Sequence, residues 1–181
     1  SGAGETEEDA LAPAAPGSDY STTNIQVAGV DEADIVKTDG EYIYFVSGNK
    51  TIIVKAYPPE EAQIVSEIEL EGTIIGIFIN GDRLVLFEQE TPYYLYYDDV
   101  PVVEESYIDY ISPTIAIKVY DISDRDNPQL QREVSSEGQY VSSRMIGDYA
   151  DVVINEPVYE EEGEPILPEI RVSTNETEIP A

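Results

Sequence analysis

The sequence contains no cysteine, no histidine and no tryptophan. Without cysteine there is neither a disulfide framework nor a thiolate metal site, and redox chemistry assigns no compartment. Without histidine there is no imidazole base near neutral pH and no Ser-His or Cys-His pair, which leaves only carboxylate, tyrosine or lysine chemistry. The chain is therefore expected not to be an enzyme, and no residue is assigned a catalytic role. Cations are scarce as well: 9 Lys and Arg stand against 38 Asp and Glu, a net charge of -29. Nucleic-acid binding draws its affinity from clustered cations, so a phosphate-backbone partner is excluded. The same charge is repelled by an anionic membrane surface, and no run approaches the roughly 18 apolar residues of a spanning helix.

What is present suffices for a core, since 41% of the 181 residues are hydrophobic. Residues 1–23 mix Gly, Ala, Pro, Ser and acids, a composition that cannot bury enough apolar area to offset its ordering entropy. They are expected to be a disordered acidic linker. They have neither the basic start nor the apolar centre of a signal peptide, so a secreted protein would have lost its leader already. The acidity itself suits either a solvated surface in a salty medium or a polyanionic extracellular protein.

From residue 34 onward the periodicity is that of strands, with almost no helical signal. Runs of Ile, Val, Tyr and Phe such as YIYFVS, TIIVKAY, IIGIFI and RLVLFEQ are broken by Gly-containing turns of hairpin chemistry, among them Asp39-Gly40, Gly48-Asn49 and Gly147-Asp148. These runs repeat. Gly40 and Gly81 lie 41 residues apart, while TIIVKAY at Thr51 returns 63 residues later as TIAIKVY at Thr114, the difference of 22 falling in an insertion over 90–113. Gly72 to Gly81 and Gly138 to Gly147 are both 9 apart, so the register recovers.

A period near 41 residues with four short strands per copy reads as all-β, with β-propeller-like blades of four-stranded antiparallel sheet. Blade one is expected over about 35–72, blade two over 73–138 and the start of blade three over 139–155, with 24–181 as one partial domain and 156–181 an extended loop or tail. About two and a half blades result. Propellers typically have four to eight, so a closed ring is not expected from this chain alone. Its partners would be the remaining blades of the same propeller or another copy joined through open edges.

Three groups of residues could carry chemistry. Asp31, Glu32 and Asp34 in VDEAD, and Asp121, Asp124 and Asp126 in DISDRDNP, offer hard oxygen ligands that suit Ca²⁺, the one cofactor the sequence suggests. Both also read as acidic turns whose side chains bond local backbone. The insertion interleaves Tyr93, Tyr94, Tyr96, Tyr97, Tyr107 and Tyr110 with acids, which suits stacking on a neutral sugar or a protein face, or packing of the loop onto blades. Two N-glycosylation sequons begin at Asn49 and Asn175 and favour an external location.

The strings VDEADIVKTDG, INGDRLVLF, IKVYDISDRDNPQL and VSSRMIGDY resemble the start of the secreted proteins with a C-terminal β-propeller domain found in methanogenic archaea and bacilli. The resemblance covers about residues 24–168. It implies an extracellular or cell-surface propeller with no established activity, of which this chain is an N-terminal portion. The expected function is accordingly a non-catalytic surface module, structural or binding a cell-envelope protein or glycan. The alternatives are part of a carbohydrate-active propeller enzyme, with paired carboxylates as acid and base, or a Ca²⁺-stabilised surface module.

Overall fold

A computed structural model describes residues 30–90, 112–161, 164–174 and 177–180. The expected linker over 1–23 and most of the insertion lie outside the described residues. The described chain is a succession of strands: β1 Val30–Glu32, β2 Val36–Thr38, β3 Tyr42–Ser47, β4 Lys50–Lys55, β5 Gln63–Glu69, β6 Thr73–Asn80, β7 Arg83–Glu90 and β8 Thr114–Asp121. There follow β9 Gln129–Glu137, β10 Gln139–Ile146, β11 Tyr149–Asn155, β12 Tyr159–Glu161, β13 Glu164–Ile166, β14 Ile170–Thr174 and β15 Thr177–Pro180. The described helical structure is one 3-10 turn, Pro59–Glu61, and no described helix is long and apolar enough to cross a membrane.

The strands assemble as antiparallel blades. Blade one is the four-stranded sheet β2-β3-β4-β5, and blade two begins with β6-β7-β8-β9. A third sheet orders as β1-β10-β11. The repeated hairpin turns put glycine where the backbone turns left-handed: φ is +57° at Gly81 and +58° at Gly147, and the Asn80 amide joins these two turns by donating to Asp148 Oδ1 at 3.0 Å. The other repeated glycine answers a close approach. A Cβ on Gly72 would sit 2.8 Å from the Gln89 carbonyl oxygen, and one on Gly138 would sit 2.6 Å from Ile154 Cγ2, each on the second strand of its own blade.

Blade two is covered on both faces, which explains why its inner strands read as continuous apolar runs rather than alternating ones. On one side Ile77, Leu84, Leu86 and Tyr120 pack with Tyr44, Ile53 and Ile68 of blade one. On the other, Phe78, Val85, Phe87 and Ile115 pack with Met145 of β10. Ile74 and Ile77 are an odd number of residues apart yet share a face, because a bulge between Ile74 and Gly76 shifts the pleat. Phe78 and Phe87 meet edge to face at 5.6 Å.

The expected first strand of blade one is β2, and β1 before it joins another sheet, pairing with β10, Val30 opposite Ile146. Asp34 then bridges Ile77 of β6 before the chain enters blade one, so the VDEAD segment straps three sheets together. The tail was expected to be an extended loop, yet β12 and β13 form a hairpin, and β14 pairs with β9 to extend blade two to six strands. The short β-branched run IRVST alternates well enough to pair, whereas the Glu and Pro around it dominate the composition.

Truncating Leu86, fully buried between blades one and two, to alanine is expected to cost about 2–5 kcal/mol of unfolding free energy. Urea denaturation followed by circular dichroism measures it, and a loss below about 1 kcal/mol would mean that the blades do not stack through this residue.

Candidate functional site

The link between β8 and β9 builds the most connected polar site. Asp121 Oδ1 accepts the Ser123 N–H at 2.9 Å and Asp124 Oδ1 accepts the Asp126 N–H at 3.2 Å, side-chain turns that fold the link back over blade one. Arg125 is thereby placed across the blade boundary. Its Nη1 donates to Asp82 Oδ1 at 2.6 Å, its Nε donates to the Tyr44 hydroxyl at 3.2 Å, and its Nη2 lies 3.4 Å from Asp39 Oδ2. The guanidinium sits 5.6 Å from the Tyr42 ring centroid, and the Arg125 carbonyl accepts the Ser66 hydroxyl at 2.6 Å. Tyr44 in turn donates to Asp39 Oδ2 at 2.8 Å.

The electrostatics follow from burial and charge. Burial pushes the Tyr44 hydroxyl well above its usual pKa, against Arg125 and with Asp39, so it stays a proton donor. Burial opposes the Arg125 charge, but its acceptors outweigh it and raise the pKa further. Around this knot lies an open cleft of about 560 Å³ lined by Asp39, Glu41, Asp82, Asp124 and Asp126. With all three guanidinium nitrogens and the phenol engaged inside the protein, the arrangement holds two blades together.

A second charged pair lies deeper. Glu88 is fully buried; its Oε1 accepts the Gly72 N–H at 2.6 Å and its Oε2 accepts from Lys118 at 2.5 Å. Burial alone would depress the Lys118 ammonium, yet Glu88, reinforced by Glu133, raises it. Sequence reasoning overlooked Glu88 and Arg125 alike. A signal existed for each, a lone acid ending the apolar run RLVLF and a lone cation among three aspartates.

The expected metal ligands are dispersed among structural partners. Asp31 accepts from Lys37 at 2.7 Å, the same ammonium donates to the Glu32 carbonyl at 2.6 Å, and Asp34 Oδ1 caps the Ile35 N–H at 2.7 Å. Lys37 is itself buried, its ammonium 5.7 Å from the Phe78 ring centroid. Asp121 pairs with Arg83 at 2.7 Å, while Asp124 and Asp126 are exposed. Among the described residues, no three Asp or Glu side chains converge where a metal could be held.

Tyr93, Tyr94, Tyr96, Tyr97, Tyr107 and Tyr110 lie outside the described residues, as does Asn175. The insertion's described ends, Glu90 and Ser112, stand at the end of the sheets opposite Arg125, and Ser112 hydrogen-bonds Glu156 there. Asn49 is at that same end. Its amide donates to the Leu70 carbonyl at 2.8 Å, and Thr51, the third sequon residue, is fully buried. The folded blade therefore presents this sequon poorly to a transferase.

A further concavity is apolar. Between blade two and the third sheet runs a groove of about 710 Å³, lined chiefly by Ile117, Val119 and Val134 on one wall and Val152 and Ile154 on the other.

Blades of this order, stacked through apolar faces, define a β-propeller, and the chain belongs to the β-propeller domain family, whose sequence profile matches residues 20–181. It is similar to an uncharacterized protein of Methanocaldococcus jannaschii, 30% identical over 126 residues that make up 70% of this chain and 16% of that protein. It is also similar to an uncharacterized protein of Archaeoglobus fulgidus, 32% identical over 91 residues, covering 40% of this chain and 15% of that protein. The chain thus spans less than a fifth of these relatives' length. No solved structure matches it.

Replacing Arg125 by leucine deprives Asp39 of its cation at the blade boundary and is expected to cost about 1.5–2 kcal/mol, read from the urea midpoint; an unchanged midpoint would remove the knot from the stability of the fold. Asp121 gives an acid signature. Hydrogen bonds from Ser123, and Arg83 after them, hold its carboxyl down to about 2, below the ordinary value near 3.9. Its contribution is complete above about pH 4 and is lost as the pH falls toward 2. Asp121→Asn is expected to flatten the fall of the urea midpoint across that window and to leave the slope between pH 5 and 7 unchanged.

Proposed function

We propose that this chain is a non-catalytic part of a larger secreted or cell-surface β-propeller, serving as a structural and binding module. The observation that supports it is how the charged side chains are used. Seven of the nine Lys and Arg side chains lie within 4.0 Å of a carboxylate. The best-connected of them, Arg125 and Lys118, spend their hydrogen bonds joining strands and blades. A catalytic carboxylate pair needs one member poised to give or take a proton toward a substrate; here Glu88 is buried against Lys118 and Asp39 is bound to Tyr44. Binding in such a module falls to loops carried on the rigid blades, and the tyrosine-rich insertion has the composition for a neutral glycan or a protein face.

The test uses the whole protein as its cell makes it. It is expected in the culture medium or the washed cell-surface fraction, and it is expected to release no reducing sugar from a panel of polysaccharides. Sustained hydrolysis by the purified protein would replace this reading with that of a carbohydrate-active propeller. Confinement to the cytoplasm would overturn the surface assignment.

A further inference from the structure

We propose that Asn80 is a site of spontaneous deamidation, restrained in the folded chain by Asp148, and that its conversion unlocks one end of the seam between blade two and the third sheet. The chemistry needs only water and is independent of what the module binds. Of the six asparagines in the sequence, Asn80 alone precedes a glycine. The following residue matters because attack on the side-chain amide comes from its main-chain nitrogen, which a Cβ would crowd.

The turn leaves that nitrogen available. Asn80 is paired with Arg83, so Gly81 and Asp82 form a two-residue hairpin loop, with Gly81 at φ +57°. Among the described residues the Gly81 N–H has no hydrogen-bond acceptor. The equivalent pair one repeat earlier, Asp39-Gly40, is held differently. There the Gly40 N–H donates to Thr38 Oγ1 at 3.0 Å, and both Asp39 carboxylate oxygens accept, Oδ1 from the Glu41 and Tyr42 N–H groups and Oδ2 from the Tyr44 hydroxyl. The repeat thus places one locked turn and one open turn at the same end of the blades.

In the reaction the Gly81 nitrogen attacks Asn80 Cγ and gives up its proton to water, the Cγ–Nδ2 bond breaks, and Nδ2 takes up a proton and leaves as ammonia, closing a succinimide ring. Water then opens the ring, at the Cγ carbonyl to give aspartate or at the main-chain carbonyl to give isoaspartate. The leaving nitrogen is the one the fold holds: Nδ2 donates to Asp148 Oδ1 at 3.0 Å and to the Gly147 carbonyl at 3.3 Å, both in the turn between β10 and β11. Ammonia departs only when both bonds are broken, so the folded chain reacts slowly. Afterwards a carboxylate replaces the donor, and acceptors face one another across the seam with no proton between them.

The test follows the purified full-length protein in mildly alkaline buffer by peptide mapping with mass spectrometry. An amide-to-acid mass gain at residue 80, divided between aspartate and isoaspartate, is expected, severalfold slower in the folded protein than in guanidinium chloride. Asp148→Ala removes one restraining bond and is expected to speed the folded reaction about threefold or more, whereas Asp148→Asn, which keeps an acceptor, is expected to stay within twofold of wild type. Gly81→Ala is expected to slow the reaction at least tenfold. A Cβ there meets nothing within 4 Å; should the left-handed φ unfold the variant, its rate in guanidinium chloride against that of wild type makes the same comparison. Asn80→Asp, which installs the product's charge, is expected to speed hydrogen exchange over 145–150 at least threefold. No gain at residue 80 in the folded protein would overturn the proposal, as would earlier gain at another asparagine. Equal rates in the folded and unfolded protein, or no acceleration by Asp148→Ala, would overturn the restraint, and unchanged exchange in Asn80→Asp would overturn the coupling to the seam.

Discussion

Everything in this structure depends on the covering of blade two from both sides. A four-stranded sheet with apolar residues on both faces cannot be stable alone, since each exposed face forfeits the roughly 25 cal/mol per Å² that burial supplies. The runs TIIGIFI and RLVLF make that dependence explicit. Leu84 and Leu86 need blade one, and Val85 and Phe87 need the third sheet. Blade one and the third sheet, by contrast, each bury one face on blade two and keep large apolar side chains exposed on the other, Val36, Ile43 and Ile64 on blade one and Val153 and Ile146 on the third sheet. Among the described residues, blade two is covered on both faces, while blade one and the third sheet each leave one face open.

Scarcity of cations shapes how the blades are joined. With so few positive charges among so many acids, a cation left free on the surface would gain little in stability, because exposed pairs contribute only about 0–1 kcal/mol. The structure instead draws Lys37, Lys118 and Arg125 inward, where they hold strands that apolar packing alone would leave free to slide. Lys37 fixes the strap that crosses three sheets, and Arg125 fixes the boundary of blades one and two. Both sit among carboxylates that the composition alone would mark as ligands for a foreign cation. The chain meets much of that demand from within.

The fold was legible because its signals are local and repeated. Gly40 and Gly81, Gly72 and Gly138, TIIVKAY and TIAIKVY each restate one geometric requirement, and a period of strand pairs separated by turns points to blades. Pairings between distant segments were not legible. Nothing in Val30–Glu32 says that it pairs with a strand more than a hundred residues later, since three residues carry no periodicity. The five-residue β14 was masked by the acids and prolines around it. The site was legible in reverse: the aspartates of DISDRDNP drew notice as ligands, whereas the group they position is the single arginine between them. Counting like charges finds clusters, but function in a folded chain depends on which unlike charge they surround.

The two ends of the blades have taken different roles as a result. At the end carrying the turns at Gly81 and Gly147, polar side chains are bound to one another across blade boundaries, Arg125 to Tyr44 and Asp39 on one side and Asn80 to Asp148 on the other. Loops there are short, and their side chains serve the turns themselves. At the opposite end the same repeat tolerates an insertion of over twenty residues between β7 and β8, because the anchors Gln89 and Gly138 hold the sheet start without help from the loop: Gln89 bonds both the Thr114 carbonyl at 3.0 Å and the Tyr140 N–H at 3.1 Å. Added length at such a point costs only a slowly growing closure entropy. The repeat thus accommodates added length at one end, while the other carries the bonds of Arg125 and Asn80 across blade boundaries.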